Sequence, residues 1–310
     1  MPRMAVLPSL PRLPPLGAHV SVAGGVASAF GRAATLGCDA IQIFVKNGNQ
    51  WRARDLEDGE CGSFRDAHAA SAVGPLLAHA SYLINLAATD PVILERSREA
   101  LADELRRCSR LGVHGLVLHP GAHLGAGEDA GIERAAVSLD AVLDAVPDAT
   151  TRVLLENTAG QGSCLGWRLE HLAGIRAAVG RPERIGFCLD TCHTFAAGYP
   201  IHEEAGFRGF LAEVEERLGL EHVGAFHVND SVREFGSRRD RHAHLGEGMI
   251  PLDTFLWLLT DERLAAIPMV IETEPGDDME GHRKDLEVLR GLVSPKAPKT
   301  KKRARRRASP

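Results

Sequence analysis

The sequence predicts an α/β protein, a single-domain (β/α)8 TIM barrel, and three observations carry that expectation. Short apolar runs recur about every thirty-five residues, each followed by a longer stretch with helical periodicity. Glycine often falls where the helical stretches stop. Seven of the eight apolar runs end on His, Asp or Glu, and in a barrel the C-terminal strand ends ring one mouth.

The runs place strands at 16–20, 41–45, 76–80, 115–119, 152–156, 185–190, 223–228 and 269–273. Between them, segments such as 91–111, 131–146 and 205–218 repeat apolar residues at three- and four-residue intervals, the spacing of one buried helix face. Gly37, Gly112, Gly180 and Gly219 mark helix ends, where a left-handed residue is needed and glycine adopts it most readily. A doubly wound open sheet shares this alternation, but no G-x-G-x-x-G follows the first strand. The length of 310 residues suits one barrel, and equally two small domains. The organisation expected is a Pro-rich, disordered lead-in at 1–15, the barrel at 16–293 and a basic, disordered tail at 294–310.

Composition is that of an ordinary globular protein, with 44% hydrophobic and 25% charged residues. The net charge of −5 conceals an asymmetry, because eight basic residues and no acid follow Ser294 and the preceding body therefore carries −13. Such a body attracts polyanions only where metal ions offset its carboxylates. The tail reads as a non-specific nucleic-acid arm, with a solvated solubility tail as the alternative. Cys38, Cys61, Cys108, Cys164, Cys188 and Cys192 form no C-x-x-C pair, which suggests reduced, buried thiols in a cytoplasmic protein. No stretch reaches the eighteen or so apolar residues of a membrane span, and residues 1–15 do not resemble a signal peptide, so no membrane partner is expected.

The strand ends supply the chemistry. His79 and His119 follow apolar strands, and Pro120-Gly121 halts the second of these at once. Glu156 ends V-L-L-E, where an unpaired buried carboxylate is costly unless a cation compensates. Asp190 and His193 lie about one helical turn apart, His227 ends the seventh run and Glu272 the eighth. Asp240 and His242 stand two apart, so in extended chain both point the same way and can hold one cation. They sit among Arg233, Arg238, Arg239 and Arg241, a setting that suggests a phosphate-bearing substrate. His123 is read as a loop residue outside the set. Five histidines and four carboxylates are too many for one tetrahedral ion and suit two or three metals with shared carboxylates. The imidazoles disfavour magnesium and calcium and leave zinc, manganese and iron open.

The segments GAHVSVAGG (17–25), HASYLINL (79–86), HPGAHLG (119–125), ENTAGQGSCLG (156–166), DTCHTFAAGY (190–199) and HVNDSVREFGSRRDRHAHLGEG (227–248) together resemble endonuclease IV. That family comprises zinc-dependent apurinic/apyrimidinic endonucleases of base-excision repair, and the resemblance runs from about Gly17 to Leu292. All nine candidate ligands fall on its metal positions. The resemblance implies three zinc ions per chain, with manganese able to take some positions. His79, His119 and Glu156 would hold the first; Glu156 bridges to the second, with Asp190, His227 and Glu272; His193, Asp240 and His242 hold the third. It implies hydrolysis of the phosphodiester 5′ to an abasic site in duplex DNA, leaving a 3′-hydroxyl and a 5′-deoxyribose phosphate. Glu156, Asp190 and Glu272 would be the catalytic carboxylates around a nucleophilic hydroxide.

Tyr82 and Leu83 match the family's wedge, which fills the stack when the damaged nucleotide turns out; a hydrophobic loop packed on the barrel is the alternative. Asn49, Gln50 and Trp51 match its DNA-contacting loop, and Arg238 and Arg241 lie in the loop expected to hold the DNA backbone. Many relatives have arginine where this chain has Asn49, so that contact is weaker here or comes from Arg52 or Arg54. His19 matches no ligand and is expected to support one by a hydrogen bond. The enzyme is expected to act as a monomer without an obligate protein partner. A TIM-barrel sugar isomerase or epimerase with a His/Glu/Asp metal site is the alternative enzyme, and a non-catalytic DNA-binding protein the alternative of another class.

Overall fold

The computed structural model describes residues 13–294, so the readings of 1–12 and 295–310 lie outside the described residues. Strands β1 (Leu16–His19), β2 (Ala40–Ile43), β3 (Leu76–His79), β4 (Gly115–Leu118), β5 (Arg152–Glu156), β6 (Ile185–Asp190) and β7 (Val223–His227) follow one another along the chain. Two short strands, β8 (Asp230–Ser231) and β9 (His242–Ala243), precede β10 (Met269–Ile271). The first seven and β10 pair in parallel into a closed barrel, sealed where Leu16 faces Met269. β8 and β9 pair antiparallel on their own.

Each strand is followed by helix or loop on the outside: α1 (Ser28–Leu36), α2 (Asp58–Ala69), α3 (Pro91–Leu111), α4 (Glu128–Ala145), α5 (Leu169–Ala178), α6 (Thr191–Ala197), α7 (Glu204–Arg217), α8 (Leu252–Thr260) and α9 (Glu280–Val293). Asp90 shows why α3 starts where it does: its carboxylate accepts from the amides of Val92 and Ile93, and Pro91 opens the first turn. Gly37 and Gly112 end α1 and α3 in the left-handed region, as expected.

Several bounds differ from the sequence reading. α4 begins at Glu128 rather than at 131, because Glu128 and Asp129 add a first turn whose negative charge suits a helix N-terminus. Gly180 does not end α5; Val179, in extended backbone, does. The strand at 41–45 starts at Ala40 and stops at Ile43, and those at 76–80, 115–119 and 269–273 stop one or two residues early. At β10 the reason is visible: the amide of Glu272 leaves the ladder and donates to the Asn229 side chain at 2.8 Å. The apolar runs thus outlast the ladders, and the polar residues ending them bend into the mouth.

Two apolar layers hold the barrel. A large one lies between strands and helices, and a small one fills the barrel with Leu77, Val117, Leu154, Cys188, Ala225 and Val270. Leu154 occupies space that glycine leaves: a Cβ on Gly115, Gly186 or Gly224 would come within 2.6, 2.8 or 2.7 Å of its methyls. All six cysteines are free, and five are buried, as expected. No described helix is long and apolar enough to cross a membrane.

Candidate metal centre at the barrel mouth

Glu156, fully buried at the end of β5, is the hub of the mouth. His79 Nε2 and His119 Nε2 lie 3.2 and 3.0 Å from its Oε2, while His227 Nδ1 and His193 Nδ1 lie 2.9 and 3.4 Å from its Oε1. His227 Nδ1 is also 3.0 Å from Glu272. His193 Nε2 is 3.1 Å from Asp240, and His242 Nε2 is 3.3 Å from Asp240 and 3.6 Å from Asp190. All nine candidate ligands, six from strand ends and three from α6 and the 232–243 segment, therefore meet in one mouth. Their donor atoms form overlapping groups: His79, His119 and Glu156; Glu156, Asp190, His227 and Glu272; Asp190, His193 and His242; Asp240 and His242 with Cys192. Asp190 thus touches the third group as well as the second, which the sequence did not suggest. Burial, then Asp190, pushes the Cys192 thiol up to about 12, and its Sγ–H points to the Arg241 carbonyl at 3.6 Å. That leaves Asp240 and His242 as the ready donors.

The donor set fits metal ions. His79 Nδ1 donates to the Ala80 carbonyl at 2.7 Å, His193 Nδ1 to the Asn157 carbonyl at 2.9 Å, and His227 Nε2 to Gln42 Oε1 at 2.9 Å. Each imidazole is oriented by one nitrogen and turns the other to the centre, the arrangement of metal-binding histidines. His193 Nε2 and His242 Nε2 are buried without a hydrogen-bond partner despite nearby carboxylates. Misdirected donors around a common point are what a shared cation satisfies.

Residues not singled out from the sequence hold these groups in place. Asn229 donates to Asp190 Oδ2 at 2.7 Å and accepts from the Glu272 amide, joining two candidate ligands. Gln42 donates to Glu272 Oε1 at 2.6 Å, and Asn157 accepts from the Asp190 amide at 2.7 Å. Asp190 Oδ1 caps α6 by accepting from the His193 amide at 2.7 Å. His19 lies 3.5 Å from Glu272 and beside Gln42, the supporting place expected of it. His123 accepts from the Gly127 amide and stays outside the set. Farther out, Asp230 accepts from the amides of Ser231, Gly246, Gly248 and Ile250, pinning both ends of the loop that carries Asp240 and His242.

Burial would raise the Glu156 carboxyl, but His227 and His119 outweigh it and hold it well below the usual range. Glu272 behaves alike, with His227 the leading counterweight to burial. Burial lowers His193 and His227, yet the surrounding anionic groups outweigh it and push both well above the ordinary histidine value. The metal-free cluster therefore keeps imidazole protons at neutral pH, and a cation must displace them. Adding zinc to chelator-stripped protein in weak buffer at pH 7 is expected to release more than one proton per chain, with metal affinity falling as pH falls. A pH indicator and calorimetry in buffers of different ionisation heat read this, and uptake without proton release would contradict it.

A cleft of about 230 Å³ opens beside the clusters, lined by Tyr82, Leu83, His119, Gln161, His193 and Asp240 among others. A larger one of about 640 Å³, between Trp51–Ala53 and α3, contains none of the nine candidate ligands. The smaller cleft is the one placed for chemistry. Tyr82 is 58% exposed at its rim, its ring 5.4 Å from that of His79. Asn49 and Gln50 are exposed, and Trp51 packs partly against the core. Of the two arginines expected to stand in for Asn49, Arg54 is committed to Glu60 at 2.6 and 2.5 Å, while Arg52 makes no ion pair among the described residues. Arg238 stacks on Trp167 at 4.1 Å, and Arg241 is exposed, its guanidinium donating to the Asp240 carbonyl.

Residues 30–292 match the family described as xylose isomerase-like TIM barrel. The chain is 46% identical over 281 residues to a probable endonuclease 4 of Chloroflexus aurantiacus, covering 91% of this chain and 99% of that protein. The crystal structure of endonuclease IV from Thermus thermophilus superposes with a TM-score of 0.81 at 38% identity, covering 90% of this chain and 99% of that one. A D-tagatose 3-epimerase-like protein shares the fold at 18% identity, with a TM-score of 0.69 and coverage of 90% and 97%. Near-complete coverage at these identities, over a mouth that gathers every expected ligand, shows that the chain belongs to the endonuclease IV family.

Proposed function

We propose that this endonuclease hydrolyses the phosphodiester on the 5′ side of an abasic site in duplex DNA. The P–O3′ bond breaks, leaving a 3′-hydroxyl and a 5′-deoxyribose phosphate. The observation that carries this reading is the overlap of three ligand groups through Glu156 and Asp190 in one mouth. His79, His119 and Glu156 would hold one zinc, Glu156 with Asp190, His227 and Glu272 a second, and His193, Asp240 and His242 a third, with manganese acceptable in part. Bound cations supply charge that acidifies an attacking water and offsets negative charge growing on the phosphoryl and leaving oxygens.

The chain's own residues do the rest. Asn229 and Gln42 fix the carboxylates of Asp190 and Glu272, so the ligand geometry exists before substrate arrives. Tyr82 and Leu83 stand at the rim to fill the gap left by an extruded abasic nucleotide, where unstacking costs least. Arg238 and Arg241 form no ion pair with a carboxylate among the described residues, and offer their guanidinium groups to backbone phosphates. Asn49, Gln50 and Trp51 present the second contacting loop.

The sugar-epimerase reading has only the shared fold behind it. It has no use for the Asp240–His242 pair or for two arginines beside it. Purified protein is expected to contain about three transition-metal ions per chain and to nick an abasic duplex at its 5′ side as a monomer. Metal analysis, incision of a labelled duplex and light scattering test this together. One or two ions with epimerisation of a ketose and no nicking would establish the alternative.

A further inference from the structure

The two loops expected to probe DNA are joined below the surface by a buried ion pair and by two hydrogen bonds to the Gly48 carbonyl. Lys46, at the start of the 46–51 loop, is not available to DNA: its side chain is buried and its Nζ lies 3.2 Å from Glu104 Oε1 on α3. The same Nζ donates to the Trp51 carbonyl at 3.1 Å, closing the loop upon itself. Both oxygens of Glu104, also buried, accept from the Ser81 amide at 3.2 Å, immediately before Tyr82 and Leu83. Ser81 Oγ and the Tyr82 amide then return to the Gly48 carbonyl at 2.6 and 3.1 Å. Gly48 leaves room for the Phe44 ring, 3.0 Å from where its Cβ would stand. That ring lies 5.6 Å from Tyr82 and 5.9 Å from His79.

A buried ion pair adds little to stability, since an apolar pair of like volume does as well, and breaking it leaves a charge exposed to a poor environment. What this pair does add is a fixed relation between two loops from different strands. We propose that Glu104 is a positioning residue for damage recognition: through Lys46 and the Ser81 amide it sets the Tyr82–Leu83 wedge against the Asn49–Trp51 loop. The inference rests on the abasic-site reading above. A rigid wedge is inserted only where a base is missing, because elsewhere the duplex must be unstacked to admit it. Loosening the link lets the wedge give way, so binding to damage weakens while binding to intact duplex changes little.

The test uses Glu104→Gln and Lys46→Met in the full, metal-loaded chain. Lys46→Met is the milder change, because burial already pushes the Glu104 carboxyl up and a proton can replace the lost cation. Each variant is expected to raise KM for an abasic duplex about tenfold and to lower the abasic-to-intact binding ratio by a similar factor. Saturated turnover and metal content should stay near wild type. The double variant should be no worse than the weaker-binding single one, since both cut one link. Unchanged KM and binding ratio in Lys46→Met, or turnover and metal lost in step with KM, overturn the proposal. Wild-type protein that fails to nick abasic duplex sinks the abasic-site reading and this inference with it. Wild-type nicking with unaltered variants sinks the inference alone.

Discussion

Glu156→Gln is expected to raise the barrier to incision by about 4–5.5 kcal/mol, roughly a thousand- to ten-thousandfold in rate, in a barrel that still folds. The size follows from the position of this carboxylate. Four imidazoles lie within 3.4 Å of its two oxygens, and it belongs to two of the candidate ligand groups. The amide keeps shape and one acceptor but removes the charge that holds both groups together, so two favourable terms go at once. The fold is spared because Glu156 only ends β5, whose pairing with β4 and β6 is made by backbone groups. Single-turnover incision with metal analysis and circular dichroism on one preparation tests this. Turnover near wild type in metal-replete buffer would remove Glu156 from its shared role.

His242→Ala should cost less and cost it elsewhere. Its ring lies in β9, facing Asp190 and Asp240, and touches neither Glu156 nor His79 among the described contacts. Removing it takes one donor from the third group and leaves the first two intact. Loss of one transition-state charge contact is worth about 3–4 kcal/mol, a few hundredfold in rate. Affinity for abasic duplex should change far less, because Tyr82, Arg238 and Arg241 remain. About one metal ion per chain should be lost with the ring. An unchanged metal count, or binding lost as severely as turnover, would show that the third group is wrongly assigned.

The barrel and its candidate ligands were legible because they repeat. Apolar runs at regular spacing fix strand number, and a His, Asp or Glu closing seven of them is a pattern no single residue could give. The supporting residues were harder to see. Asn157 and Asn229 sit in E-N-T and V-N-D, where asparagine reads as a turn former, yet both are buried and bond to ligands. Gln42 left a usable signal, a polar residue inside A-I-Q-I-F, since a buried amide in an apolar strand needs partners. Nothing in the sequence around Lys46, which opens a polar loop, marks it as buried; only its pairing with Glu104, far along the chain, does so. The strand ends were overrun for a related reason: hydropathy does not record where a ladder amide turns to a side chain, as that of Glu272 turns to Asn229.

The order in which ligands occur along the chain bears on how the protein is made. His79, His119 and Glu156 come from the neighbouring strands β3, β4 and β5, so their group is encoded once five of the eight barrel strands have been synthesised. The group containing Glu272 cannot exist until β10 has left the ribosome and closed the seam against β1. A growing chain therefore offers a three-donor trap for a passing cation well before it offers an active centre. Under metal shortage, chains filled at the early group and empty at the late ones are the expected product. Metal supply during synthesis, and not only the amount of chain made, is then expected to set how many chains complete the later groups.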